Sequence, residues 1–378
     1  MSEGARMRIG LASIRFDRKG GSERRAWNLA GGLVEAGVEV SIFAAAIEEP
    51  DFRAEVNIVP MVSGPSFLKV ANFKNNLLRV LSGRRDIDLV HNQIRPFTDG
   101  VVTVGGGCHA EYMDRMGNPL DFLNPLHSVV LKMEKERYRP GGCRAVITNS
   151  EFSKQGLLKH YPIPPENVFV AYNGVDLEKF NPVSARLKRA EIRQKYGLGD
   201  ELLALFVGAG YRRKGLQTAV NAIGYAKDME GNVSKIKLLI AGKDDPKPFL
   251  RQAGRLGISD RLIFAGHVPE PEALYGAADI FVLPTKYDPF SNSCLEAMAT
   301  GLPVITTVQN GVAEIIEDGS SGFVLKNPDD AAGLAAILQY LSCEKARYEA
   351  GKRARLKSEN FTWTKTLQKT LEVYRKVI

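Results

Sequence analysis

The sequence predicts an α/β protein made of two Rossmann-like domains, on three observations. Short apolar runs alternate with amphipathic helical stretches, as in MRIGLA, SERRAWNLAGGLVEAG and VEVSIFAA. The same rhythm restarts near residue 202 with LLALFVGAGYRRKGLQTAVNAIG. A length of 378 residues exceeds a usual single core, so two domains of similar size are expected.

Composition narrows the class. A hydrophobic fraction of 44% and a charged fraction of 25% are those of a soluble globular chain. A net charge of +8 and a pI near 9.2 favour anionic partners: nucleotides, phospholipid surfaces or nucleic acid. Basic runs and RNA-binding aromatic signatures are missing, which sets nucleic acid aside. Cys108, Cys143, Cys294 and Cys343 are scattered without C-x-x-C or metal-ligand spacing, so free thiols in a reducing compartment and no bound metal are expected. MSEGARMRIG has no apolar segment of a signal peptide. No run approaches the roughly 20 apolar residues that span a bilayer. The expectation is a cytoplasmic protein, attached to a membrane at most by its surface.

Met7–Ala12 reads as the first strand, followed by Gly20-Gly21 and a helix with Ser22 as N-cap and Trp27, Leu29, Ala30, Leu33 and Val34 as its buried face. The glycine pair is not G-x-G-x-x-G; a tight turn explains it as well as a nucleotide contact. Residues 57–61 and 88–91 read as strands flanking a helix over Ser66–Ser82. Asp86 and Asp88 form a D-x-D, read as the turn entering the second of these strands. VVTVGGGCHAEYMDRMG gives a strand, three glycines and His109. Between Pro119 and Tyr161, Leu126, Val129, Val130 and Met133 line one helix face. Lys132, Lys135, Arg137, Arg139 and Arg144 stand beside it, with Tyr112, Phe122 and Tyr138 interleaved. That pattern fits a solvated helix, or a basic-aromatic surface for anionic lipid. VITNS is a strand with an Asn149–Ser150 cap, and the charged stretch 181–199 reads as a linker.

The second half opens with a strand over 202–207 that ends in Gly208-Ala209-Gly210. Arg212, Arg213 and Lys214 follow, just before Gly215 and a helix. Fixed cations beside a helix N-terminus suit a pyrophosphate leaving group, on which charge builds as a glycosidic bond breaks. IKLLIAGKDD and DRLIFAGHV end at Gly242-Lys243 and His267-Val268, places where a base can meet the main chain. FVLPTKYDPFSNSCLEAMATGLPVITT then gives a strand, a polar loop, a helix stopped by Gly301 and Pro303, and another strand. Asp288 and Glu296 flank that loop and are expected on one crevice. The N–H groups from Phe290 through Ser291 and Asn292 to Ser293 would face phosphate oxygens there.

Phe290, Glu296, Ala297, Ala299, Gly301, Pro303, Val304 and Ile305 fit the frame E-x-F-G-x-x-x-x-E-A-x-A-x-G-x-P-V-I. In this the chain resembles the family 4 retaining glycosyltransferases of the GT-B fold. Asp288 stands where most members have Glu, and Ser291 where Gly is usual. The shorter side chain withdraws the carboxylate by roughly one C–C bond. The resemblance runs from Met7 to the C-terminus.

It implies two Rossmann-like domains facing a central cleft: 1–172 for the acceptor, and 173–359 for the nucleotide sugar. Residues from about 360 to 378 would return as a helix to the first. It implies that Gly20 and Gly21 approach donor phosphates, that His109 faces the donor sugar, and that Arg213 and Lys214 stabilise the departing diphosphate, while the Asp288 and Glu296 carboxylates accept hydrogen bonds from sugar hydroxyls. It also implies retention of configuration without an enzymic nucleophile or a cofactor. Within the family, G-x-G-[FY]-R-R-K-G, A-G-K-D and the helix at Glu134–Tyr138 look most like lipopolysaccharide core glucosyltransferases. A UDP-glucose donor, a lipid-linked heptose acceptor and attachment to the inner face of the cytoplasmic membrane would follow. A family member using UDP-GlcNAc or GDP-mannose, a GT-B epimerase, and a non-catalytic nucleotide-sugar binder are the alternatives.

Overall fold

The computed structural model describes residues 7–18 and 20–378, apart from the side chains of Pro119 and Phe122. The chain divides into two compact units, Met1–Gly174 with Trp363–Ile378, and Val175–Thr362. The sequence placed the divisions at 172/173 and near 360.

In the first unit β1 (Arg8–Ala12), β2 (Arg15–Phe16), α1 (Gly21–Glu35), β3 (Glu39–Ala44), β4 (Ala46–Ile47) and β5 (Glu55–Ile58) come first. Then follow α2 (Ser66–Ser82), β6 (Leu89–Gln93), β7 (Val101–Val104), α3 (His109–Met116), α4 (Pro125–Arg137), β8 (Ala145–Thr148), α5 (Glu151–His160) and β9 (Val168–Val170). Seven strands form one parallel sheet in the order β5-β3-β1-β6-β7-β8-β9. Such a sheet is covered on both faces, so its central strands are apolar throughout. Ile9, Leu11, Val101, Ala145 and Ile147 are buried against Trp27, Leu29, Ala30 and Leu33 of α1.

Helix α1 starts one residue before the expected cap. Gly20 holds the N-cap position, its carbonyl accepting the Arg24 N–H, and no side chain caps the helix. Ser22 is therefore inside the first turn. The D-x-D behaves as a strand entry: Asp88 accepts the Arg8 N–H at 2.7 Å, and Asp86 pairs with Arg84 and Arg8. Strand β5 lies two residues earlier than the expected run, at the exposed edge of the sheet.

The second unit contains α6 (Pro182–Arg186), α7 (Arg189–Lys195), β10 (Leu203–Val207), α8 (Leu216–Ala226), β11 (Lys237–Ala241), α9 (Lys247–Leu256) and β12 (Leu262–Gly266). It continues with α10 (Glu272–Ala277), β13 (Ile280–Val282), α11 (Asn292–Ala299), β14 (Val304–Thr307), β15 (Phe323–Leu325), α12 (Ala331–Leu341) and α13 (Glu344–Ser358). Its parallel sheet runs β12-β11-β10-β13-β14-β15.

The stretch 181–199 is not a linker. It folds as α6 and α7 in the second unit, because two of its arginines find fixed partners. Arg189 donates to the carbonyls of Gly276, Ala277 and Ala278 and pairs with Asp279 at 2.7 Å. Arg193 reaches Ala277, Gly199 and Glu201. Charge there marks buried anchoring, which local composition alone cannot tell from solvation.

The last helix, α14 (Trp363–Val377), belongs to the first unit, as the resemblance implied. Val373 and Tyr374 lie in the core with Ile9 and Ala30. The Tyr374 hydroxyl meets Nδ1 of buried His91 at 2.6 Å, and His91 Nε2 meets the Thr103 hydroxyl at 2.7 Å. Cys108, Cys143 and Cys294 are buried and Cys343 is exposed. No helix among the described residues is long and apolar enough to cross a membrane.

Candidate functional site

An open parallel sheet opens a crevice where its strand order reverses, between loops at the carboxyl ends of the two strands flanking that point. In the second unit this point lies between β10 and β13. The loop after β10, residues 208–215, meets the loop after β13, residues 283–291. Lys286 N–H and the Thr285 hydroxyl both donate to the Arg213 carbonyl, at 2.8 and 3.1 Å. Gly215 makes this approach feasible. Its φ is 78°, and a Cβ there would stand 1.9 Å from the Pro284 carbonyl oxygen.

The two loops bring together three of the residues singled out in the sequence. Lys214 Nζ lies 3.2 Å and Arg213 Nη1 3.4 Å from the same Asp288 oxygen, Oδ2. Arg213 also donates to the Tyr287 carbonyl at 2.7 Å. Burial pushes the Asp288 carboxyl up, but Lys214 and Arg213 outweigh that and hold it below its usual range. Arg212 is exposed.

Helix α11 leaves this crevice with Ser291 at its N-cap position. The Ser291 N–H donates to Asn310 Oδ1 at 3.2 Å, so it drops out of the expected row of anion donors. The Phe290 side chain is buried. Glu296 accepts the hydroxyl of buried Tyr275 at 2.7 Å. Asp288 thus lies in the loop after β13 and Glu296 one turn into α11, as expected. Each is engaged within the protein, Asp288 by two cations and Glu296 by a tyrosine.

The neighbouring strand ends close on one another. Gly208 N–H donates to Ala241 and Gly242 N–H to Gly266, both at 2.9 Å. A Cβ on Gly242 would lie 2.4 Å from the Gly208 carbonyl oxygen. Lys243 and His267 are exposed beside this bare backbone and Val268 is half-buried. Asp244 fixes the adjoining loop by accepting the Tyr211 N–H at 2.5 Å.

In the first unit the order reverses between β1 and β6. Gly20 and Gly21 follow β1 at the N-terminus of α1, and His109 follows β7 as the first residue of α3. His109 Nε2 meets His127 Nδ1 at 2.8 Å, with the rings stacked at 18°. Glu134, buried on α4, accepts the N–H groups of His109 and Ala110 at 2.7 and 3.3 Å and the Tyr161 hydroxyl at 2.7 Å. It thereby caps α3 with a carboxylate. Burial, then His127 and Arg95, bring the His109 imidazole down to about 4, so it is neutral at physiological pH. Glu111, Asp114 and His160 have donor atoms within 4.8 Å of one another, but Arg115 and Lys159 pair with these carboxylates.

Asn310, Tyr275 and His127 escaped the sequence reading, and Glu134 entered it only as part of the Glu134–Tyr138 helix, without its partners. An Asn-Gly step after β14 was the one local signal for Asn310; the other contacts join residues 18 to 25 positions apart in the chain. On the expected basic-aromatic surface, Lys132, Lys135, Arg139 and Arg144 are exposed. Tyr138 is fully buried and cannot contribute, and the Phe122 side chain lies outside the described residues. Leu120 and Leu123, 73% and 77% exposed, supply apolar surface instead.

Residues 19–179 match the model of Glycosyltransferase Family 4, and residues 188–357 that of Glycosyl transferases group 1. The chain belongs to the family 4 glycosyltransferases. An uncharacterized glycosyltransferase of Methanocaldococcus jannaschii is 27% identical over 98% of both chains. Among solved structures, WaaG, a glycosyltransferase involved in lipopolysaccharide biosynthesis, matches with a TM-score of 0.83 at 22% identity, over 97% of this chain and 99% of that one. Anabaena HepE in complex with UDP-glucose matches with a TM-score of 0.76 at 18% identity, over 98% of this chain and 100% of that one. These likenesses establish the GT-B fold. This transferase carries its Arg213–Lys214–Asp288 cluster at the switch point of its second sheet.

Proposed function

We propose that this glycosyltransferase moves a hexose, glucose from UDP-glucose, with retention of configuration onto a heptose of a lipopolysaccharide core or a similar glycolipid. The observation that carries the reading is the pair of cations fixed at the β10/β13 switch point, Lys214 and Arg213, held in place by Asp288. When a sugar leaves a nucleoside diphosphate, charge develops on the phosphate that departs. Fixed cations stabilise that charge in the role a divalent ion would otherwise fill, so turnover is metal-independent in this reading. The bond from C1 to the phosphate oxygen breaks and one from C1 to the acceptor oxygen forms on the same face. The acceptor proton passes to the departing diphosphate.

In this reading Glu296, positioned by Tyr275, accepts ribose hydroxyls, and neutral His109 faces the sugar. Gly20 and Gly21 approach the diphosphate. Gly242, Lys243, His267 and Val268 border the base, and Arg212 and Asn292 lie at the phosphate end. The UDP-glucose bound to HepE and the lipopolysaccharide role of WaaG support the choice of donor and acceptor.

The acceptor is lipid-linked, so the enzyme works at an anionic membrane surface, peripherally on the cytoplasmic face. Exposed Leu120 and Leu123 with Lys132, Lys135, Arg139 and Arg144 supply the apolar and cationic parts of that contact. About 1 kcal/mol per basic residue near such a surface gives reversible, salt-sensitive attachment.

The test is a donor panel followed by nucleotide release, with and without a deep-rough core acceptor and with EDTA. Release from UDP-glucose that depends on the acceptor, an α-linked product and insensitivity to EDTA are expected. Preference for GDP-mannose or UDP-GlcNAc, an inverted product, or activity restored only by Mg²⁺ would overturn the corresponding part.

A further inference from the structure

The second unit has a cavity at the opposite end of its strands from the donor loops. Asp279 precedes β13, and Gly301, Leu302 and Pro303 precede β14; all four line it, whereas residues 283–291 leave the other end of β13. The cavity measures about 480 Å³, the size of a small-molecule site. A neighbouring groove of about 680 Å³ shares Arg186, Arg189, Asp279 and Arg347 with it.

Its walls carry an excess of positive charge that the fold does not neutralise. Arg186, Arg189, Arg347, Lys352 and Arg355 line it, against the carboxylates Asp279 and Glu344. Asp279 is shared between Arg189 and Arg193, so one carboxylate serves two guanidinium groups. Arg347 is oriented by the carbonyls of Leu341 and Ser342, at 2.8 and 3.1 Å. Arg355 is held by the Phe180 and Ala299 carbonyls, with Glu359 as its counter-charge. Carbonyls fix a guanidinium without cancelling its charge. Among the described residues Arg186 and Lys352 form no ion pair, and both are exposed at the rim. The Tyr348 ring and the Leu302 and Leu356 side chains complete the lining with apolar surface.

We propose that this cavity is a second ligand site, separate from the donor crevice, that takes a phosphomonoester on a small organic body. Oriented guanidinium forks match phosphate oxygens in pairs, Lys352 adds a mobile point charge, and Tyr348 with the leucines covers the carbon part. The same phosphomonoester occurs on a soluble metabolite and on a lipid headgroup, and the test separates them.

The full chain is titrated calorimetrically with glycerol 3-phosphate at low salt, and in parallel sedimented with vesicles containing phosphatidic acid. Vesicle binding is scored as the excess over phosphatidylglycerol vesicles of equal charge, so that attachment through the basic surface of the first unit is subtracted. The variants are Arg186→Glu with Lys352→Glu, which changes two exposed side chains, and Lys214→Ala, which alters the donor crevice. Saturable binding of either probe is expected. It should weaken at least tenfold in Arg186→Glu/Lys352→Glu and persist in Lys214→Ala. Binding of glycerol 3-phosphate identifies a soluble ligand, and binding of phosphatidic acid vesicles alone identifies a headgroup. Binding of neither probe, or binding that survives the double variant, overturns the proposal. Circular dichroism of the double variant confirms that a loss reflects the site and not the fold.

Discussion

Lys214 and Asp288 meet at 3.2 Å across the switch point of the second sheet, and the same Asp288 oxygen also faces Arg213. Under the proposed function, a diphosphate entering the crevice takes these cations over from a carboxylate that already holds them. Lys214→Ala should weaken UDP binding by about 1.5–3 kcal/mol, the usual worth of a hydrogen bond to a charged group. Asp288→Asn should leave UDP affinity equal or higher, because the competing charge is gone. Calorimetry on both variants decides; a tenfold loss of UDP affinity in Asp288→Asn would show that the carboxylate assists the nucleotide instead.

Glu296 is fixed by the Tyr275 hydroxyl and sits one turn into α11. Glu296→Ala should cost UDP binding roughly 1–3 kcal/mol. Tyr275→Phe should cost less, since it frees the carboxylate without removing it. Unchanged UDP affinity in a folded Glu296→Ala protein would remove this residue from the site.

Asn310 is 1% exposed and holds the crevice from behind. Its Oδ1 accepts the Ser291 and Val312 N–H groups, and its Nδ2 donates to the Thr306 hydroxyl at 2.9 Å. Replacing it with alanine strands several buried polar groups at once. A loss of about 2–4 kcal/mol in unfolding free energy is expected by denaturant titration. A change under about 0.5 kcal/mol, the range of an inert surface substitution, would refute this bracing role.

Two histidines set an acid limit. Burial, then Arg25, brings His91 down to about 3, and burial, then His127 and Arg95, brings His109 down to about 4, against an ordinary 6.5. Both fold as neutral rings. Below 6.5 the unfolded chain binds protons that the folded chain refuses, so this contribution is complete above 6.5 and lost as pH falls toward 4. Unfolding free energy should decline between pH 6.5 and 4.5, while nitrogen-15 spectra show both rings neutral at pH 5.5. Stability that is flat over that range, or a protonated His109 at pH 5.5, would contradict the buried environment.

Much of the architecture was legible because it rests on local pattern. Helix α2 and strands β7 and β14 were read at their observed limits, since apolar runs between glycine and proline leave little choice. The cations at 212–214 and the acids at 288 and 296 were visible from spacing. What they bond to was not. Asp288 receiving Lys214 from a loop 74 residues earlier, or Glu134 capping His109, depends on how strands are ordered in the sheet. Arg189 misled for the same reason, as its acceptors lie more than 80 residues away, and Arg193 adds the equally distant Ala277 carbonyl to nearby acceptors at Gly199 and Glu201.

The distribution of the thiols has a practical use. Burial drives Cys108, Cys143 and Cys294 up to about 12, so they are protonated and enclosed at neutral pH. Cys343 is exposed, and it caps the helix that contributes Glu344 and Arg347 to the arginine-lined cavity. A maleimide dye added to the untouched protein will therefore attach at one address, beside that cavity. No cysteine has to be introduced or removed to place a reporter there.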